Sequence, residues 1–346
     1  MKNIFLNICL LVVMISGCKT TNDEKTEKFQ KHRNRIINVS DKIIDIKPEI
    51  LFGNSVLYII DDVLIVNEVS PQGEKGIHLF NKNTFRYISS TGILGRGPGE
   101  IASLGGIGID RINRILWVQD HGNKVMWKFP LDSVLNNEMF KPKIKLELNY
   151  ESFIERFSFL NDSIVLGVAV QILPDYSFVK AMSKLNLNTN LIEKYGYVHP
   201  EAIGKNSSSV FSLSVENNFY VNCYYYNDLI TINDLSGKLK YNVYGPYGLN
   251  NKDNKKAYFF GVDFIGKDII ASYIGDVGLV SDENGFKGNT PSKLIVFDMK
   301  GNYKKTIETG YKFTYFCVDE ENKRIIAYFN SRIEALGYFN IDFESQ

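Results

Sequence analysis

Thr91 to Glu100, "TGILGRGPGE", packs four glycines and a proline into ten residues, a composition that suits a loop wrapped around a phosphate. Such a loop needs free backbone N–H groups at a helix N-terminus, with Lys and Ser/Thr at fixed offsets from the glycines. Gly92, Gly95, Gly97 and Gly99 satisfy neither known spacing, and Pro98 removes a donor. The stretch that follows, "IASLGGIGIDRINRILWVQD", is too glycine-rich for a helix. A structural turn is the favoured reading, with Glu100 placed to accept backbone N–H groups inside it.

The remaining chemistry-bearing residues are scattered. His32, His78, His121 and His199 lie far apart with no partner at ligand spacing, and no CxxC, HExxH or GxSxG pattern occurs. No catalytic residue, resident metal or cofactor is therefore expected. Asp120, Asn123, Asp162, Asp228, Asp263 and Asp319 offer oxygen donors of the kind Ca²⁺ takes. Each also fits a turn, and the turn is preferred. Ligand contacts are expected instead from Tyr225 within "NCYYYND", from Trp127, and from Asp276 and Asp282 in the long insertion Gly275 to Pro291. Cys223 and Cys317 sit in apolar runs, where buried free thiols are expected.

These residues need a frame, and the composition points to an all-β one. The 346 residues are 44% hydrophobic and 13% aromatic, with 20 Tyr and 23 Phe, a strand-favouring choice. A net charge of +1 argues against a nucleic-acid footprint. A unit of about fifty residues recurs, from "SVLYIIDDVLIVNEV" to "YFCVDEENKRIIAYFN", as short alternating strands punctuated by Asp/Asn/Gly turns. Such turns include Asp61-Asp62, Asn161-Asp162, Asn217-Asn218 and Glu320-Glu321-Asn322. Six units of this kind suit a six-bladed β-propeller, residues 36–346. The last unit stops one strand short, so an N-terminal strand from Arg35 to Ile46 is expected to complete the last blade and remove two open edges.

The first 35 residues read differently. "MKNIFLNICLLVVMISGCKT" has a basic start and an apolar run, Ile4 to Ile15, too short to span a bilayer, so residues 1–17 are expected to be a signal peptide. Ile15-Ser16-Gly17-Cys18 resembles the lipobox of bacterial lipoproteins, which implies acylation of Cys18 and attachment to a membrane through lipid. Residues 19 to 35 are polar and mixed in charge, which predicts a flexible tether. Its basic cluster, Lys31, Arg33 and Arg35, is read as solvated, with contact to anionic headgroups as the alternative. Asp23 and Glu24 behind the cysteine leave the periplasmic and the surface face both open.

One unit carries a more specific likeness. "ILWVQDHGNKVMWKF", with Trp117, Val118, Asp120, Gly122, Asn123, Val125 and Phe129, resembles the NHL-type propeller repeat. "GRGPGEI" resembles the connector that precedes that repeat, and the whole chain is similar to TolB-like six-bladed propeller lipoproteins of the Bacteroides group. The resemblance implies that Gly95, Gly97, Pro98, Gly99 and Glu100 form the crossing between blades one and two, and that Asp120, Gly122 and Asn123 form a structural turn. It also implies an outer-membrane lipoprotein, expected to be monomeric. The expected function is non-catalytic binding of a peptide, glycan or protein partner, and the alternative is a Ca²⁺-assisted hydrolase or lactonase.

Overall fold

In the computed structural model residues 26–148, 152–173, 178–203, 208–249, 255–282 and 285–341 are described, and they form six sheets of four or five strands in chain order and one two-stranded hairpin. The expected signal peptide, Cys18 and the first part of the expected tether lie outside the described residues. Blade one is Ser55–Ile60, Val63–Glu68, Lys75–Asn81 and Tyr87–Ile93; blade two is Leu104–Asp110, Ile115–Asp120, Val125–Pro130 and Lys145–Glu147. Blades three to five begin at the inner strands Ser152–Phe159, Ser209–Ser214 and Lys256–Ile265, and blade six runs from Phe313–Asp319 to Leu336–Asn340. The architecture is the all-β, six-bladed propeller expected from the repeat.

Second strands such as "VLIVNE" and "RIIAYF" are buried along their whole length, not alternately. Each blade is sandwiched between two neighbours, so its middle strands face apolar wedges on both sides. The core is accordingly divided among the seams. Ile65, Ile77, Leu116 and Trp127 fill the seam between blades one and two, Tyr258, Phe259, Ile269 and Phe297 that between four and five, and Leu64, Phe80, Ile326 and Tyr328 that between six and one. The seam between blades three and four is thin, with Leu166, Met182 and Tyr220 as its buried residues.

Turn chemistry repeats with the blades. Asp61, Arg114, Asn218, Gly266 and Lys323 all take positive φ in the hairpin between first and second strands. Asn81, Asn186, Asp234 and Asp298 end third strands, and each side chain accepts backbone N–H groups two to four residues on.

The ring is closed by a strap that visits three blades. Glu27–Phe29 adds in parallel beside Asn242–Tyr244 on the outer edge of blade four, Ile36–Asn38 in parallel beside Thr306–Glu308 on blade five, and Ile44–Asp45 antiparallel to Gly337 and Tyr338 on blade six. This corrects two expectations. The tether reading of residues 18–35 fails from Thr26 onward, because the segment finds unpaired edges to extend. The closing strand in the last blade is Ile44–Asp45 alone; Ile36–Asn38, expected there too, adds a fifth strand to blade five.

Candidate functional site

The glycine stretch crosses from the outer strand of blade one to the inner strand of blade two. Its anion position is taken by the chain's own carboxylate: Glu100 accepts the Gly97 N–H at 2.8 Å and the Lys141 ammonium at 2.9 Å. The Lys141 and Gly97 bonds hold the Glu100 carboxyl below its ordinary range. A Cβ on Gly95 would overlap that carboxylate, and one on Gly99, at φ +71°, would meet the Pro142 carbonyl. Gly97 has no positive φ; a Cβ there is opposed by Glu100 alone.

Asp120 is the organiser of the next turn. Its carboxylate accepts N–H groups from Ala102, Ser103, Gly122 and Asn123, the Asn123 amide at 2.7 Å and the Trp127 indole at 3.4 Å. Burial works to raise its pKa, yet the bonds from Asn123, Ser103 and Ala102 prevail and hold it low. Trp127, expected as a ligand contact, is 9% exposed and belongs to this interior network.

The other expected contacts fall on one face of the ring, at blades four and five. Tyr225 is half-buried, edge-on to Tyr226 with ring centroids 4.9 Å apart, and near Phe260, which in turn faces Tyr315. Burial raises the Tyr225 phenol, which stays neutral and able to donate. Beside it a hairpin, Leu279–Asp282 and Gly285–Gly288, stands out between the second and third strands of blade five. Its Leu279 and Phe286 side chains are 65% and 82% exposed. The root is fixed: Asn289 donates from N to Gly278 O and from its amide to Val277 O, and accepts the Lys312 ammonium at 2.7 Å. Asp276 is exposed and capped by its own neighbour's N–H, from Val277, and Asp282 lies at the hairpin tip. Tyr247, 55% exposed, lies under the Lys256 ammonium at 4.8 Å and extends the ring cluster on the same side. The result is a rigid, partly apolar finger next to a bank of aromatic rings.

Sequence reasoning missed a buried relay in blade one. His78 lies 2.8 Å from Ser90 Oγ through Nδ1 and 2.9 Å from Glu68 Oε1 through Nε2, and Tyr87 donates to the same Ser90 oxygen. His78 and Ser90 are directly opposed across a strand pair, a register invisible until the pairing is known. The arrangement could move a proton, but Glu68, His78 and Ser90 are 6–7% exposed, Phe52 stacks on the imidazole, and the second Glu68 oxygen accepts the Gly53 N–H. It pins the chain entering blade one.

The acidic residues do not converge. Asp228 pairs with Arg33 at 3.0 Å, Asp319 with Arg324 at 2.8 Å, and Asp263 accepts from Phe264 N and Ser212 Oγ. Among the described residues no group of three or more His, Cys, Asp or Glu side chains is placed to hold a metal ion. Cys223 and Cys317 are separate buried thiols, pushed well up by burial. Between blades three and four a cavity of about 10 Å³, lined by Met182, Asn222 and Tyr224 among others, has room for one water.

Arg33, expected in a solvated cluster, is instead the anchor of the strap. Its guanidinium lies 5.0 Å from the Tyr273 ring centroid and 5.6 Å from that of Phe297, while Nε donates to Gln30, whose amide reaches Gly301 O. Asp228 also accepts from the Tyr273 hydroxyl at 3.1 Å and the Tyr247 N–H. Burial drives the Asp228 carboxyl upward, and Arg33 opposes it.

No family model matches the chain, and no curated protein matches it. Its likeness to solved structures is one of fold. A member of the DUF4221 family from Bacteroides vulgatus superposes with a TM-score of 0.58 at 10% identity, over 87% of this chain and 97% of that one. The WD40 repeats of RRP9 give 0.56 at 8% identity, over 88% and 98%. A Bacteroides fragilis protein provisionally described as exported gives 0.53 at 11% identity, over 87% of each chain.

Proposed function

We propose that this protein is a lipid-anchored propeller of the cell envelope, of the TolB-like or NHL type, that binds a peptide, glycan or protein partner without catalysis. The observation that carries the reading is the hairpin of blade five, which holds Leu279 and Phe286 out in solvent on a fixed root beside Tyr225, Tyr226 and Tyr247. Exposed apolar side chains on a rigid scaffold are a feature of interaction sites. Asp276 is an exposed acceptor at the base of the hairpin. The lipobox-like Ile15-Ser16-Gly17-Cys18 supports attachment to the outer membrane. The Ca²⁺-assisted hydrolase reading has less support, because Asp120, Asp228, Asp263 and Asp319 are each engaged in separate parts of the ring.

Capture from solubilised native envelope, with wild-type protein and a Leu279→Ser/Phe286→Ser variant side by side, tests the binding face. A partner retained by the wild type and lost by at least tenfold in a variant of unchanged melting temperature is expected. Equal retention by both would remove the hairpin from the function. Mass analysis of the N-terminal peptide tests the anchor independently, with an acylated Cys18 expected at the mature end.

A further inference from the structure

We infer that the outer rim of blades four and five, carried by the strap Thr26–Asn38, is the surface that lies against an anionic bilayer. The inference rests on the lipid-anchor reading and adds an orientation to it. Its first support is reach. Seven residues separate Cys18 from Thr26, so a fully extended connection spans roughly 25–30 Å. A domain of this length measures about 50 Å across, from a radius of gyration near 20 Å. The leash is therefore shorter than the disc, and it joins the disc at the edge of blade four, where Glu27–Phe29 pairs with Asn242–Tyr244.

The second support is the character of that edge. Phe29 and Ile36 are 72% and 55% exposed although both sit in paired strands, and between them Lys31, His32 and Arg35 are exposed. Phe29 is not loose: its ring stacks on Tyr244 with centroids 4.7 Å apart and planes 8° from parallel. Aromatic and aliphatic side chains flanked by cations are what an interfacial segment presents, the rings entering the headgroup boundary and the cations meeting anionic lipid. Arg33 faces the other way, into Asp228, and locks the strap so that its outward side chains stay outward. Docked by this rim, the disc stands on edge, and both of its faces, including the hairpin of blade five, remain open to solvent.

The test uses the full chain, purified with its native N-terminus and reconstituted in phosphatidylcholine vesicles containing phosphatidylglycerol. A fluorophore is placed at Phe29→Cys, at Ile36→Cys, or at Ile144→Cys, a 59% exposed position at the outer edge of blade two. Cys223 and Cys317 are buried and stay unlabelled. Nitroxide-bearing lipid is expected to quench the first two labels at least threefold more strongly than the third, and Lys31→Glu/Arg35→Glu is expected to reduce that difference. Protein that floats with the vesicles yet shows equal quenching at all three positions overturns the orientation and leaves the anchor standing. Protein that does not float overturns both.

Discussion

Arg33 and Asp228 form a pair whose value depends on both members. The side chains are 8% and 0% exposed, so removing one strands a buried charge, which typically costs about 3–5 kcal/mol. Asp228→Asn should therefore lower denaturant-measured stability by that order, whereas Arg33→Met with Asp228→Leu should recover most of the loss. Asp120 makes a different prediction, about pH. Its folded pKa is depressed, so its contribution is fully present above the ordinary carboxylate range near 4 and is lost as pH falls through the lower folded value. Asp120→Asn should cost about 1–3 kcal/mol at neutral pH and flatten the acid limb of the stability profile. The two residues also differ in legibility. Asp120, Gly122 and Asn123 interact within three residues, and local spacing exposes such a turn. Arg33 and Asp228 are 195 residues apart, and nothing local marks either as half of a pair.

Among elements, the strap sets the clearest test. Truncation to Thr26 removes no described contact and should leave the melting temperature unchanged. Truncation to Ile36 removes the parallel strand on blade four together with Arg33, and at about 3–5 kcal/mol should lower it by roughly 5–8 °C. Equal melting temperatures would show that the strap contributes nothing. The hairpins were readable beforehand because Asp, Asn and Gly at turns act on their own backbone, as at Asn161 and Asp234. The strap was not. A three-residue strand such as "EKF" is polar, and it is a strand because an edge waits for it, not because of its own composition. The uniformly buried second strands were misjudged for a related reason: alternation is a property of sheets with one wet face, and these have none.

At the scale of the ring, count and closure followed from the fifty-residue repeat, whereas the division of the core into seams of unequal depth appears only in three dimensions. The shallow seam between blades three and four rests on Leu166, Met182 and Tyr220, beside a water-sized cavity. Local opening follows the least buried contact, so amide exchange should be fastest for the facing strands of these two blades and slowest at the seam between blades one and two. Uniform protection around the ring would contradict this division of the core. The blade-five hairpin was legible as a long glycine-bearing insertion; that its Leu279 and Phe286 stand exposed on a root bonded through Asn289 was not.

The strap also imposes an order of events on biosynthesis. Glu27 to Asp45 are made early, yet their partners begin at Asn242, Thr306 and Gly337, some two to three hundred residues further along the chain. Blades one to three contain none of these partners, so they can form while the strap still has nothing to pair with. Its insertion is a contact of very long sequence separation, the kind that forms slowly. The last act of folding thus falls to an early part of the chain, and until then the edges of blades four, five and six are open to any other strand that arrives sooner.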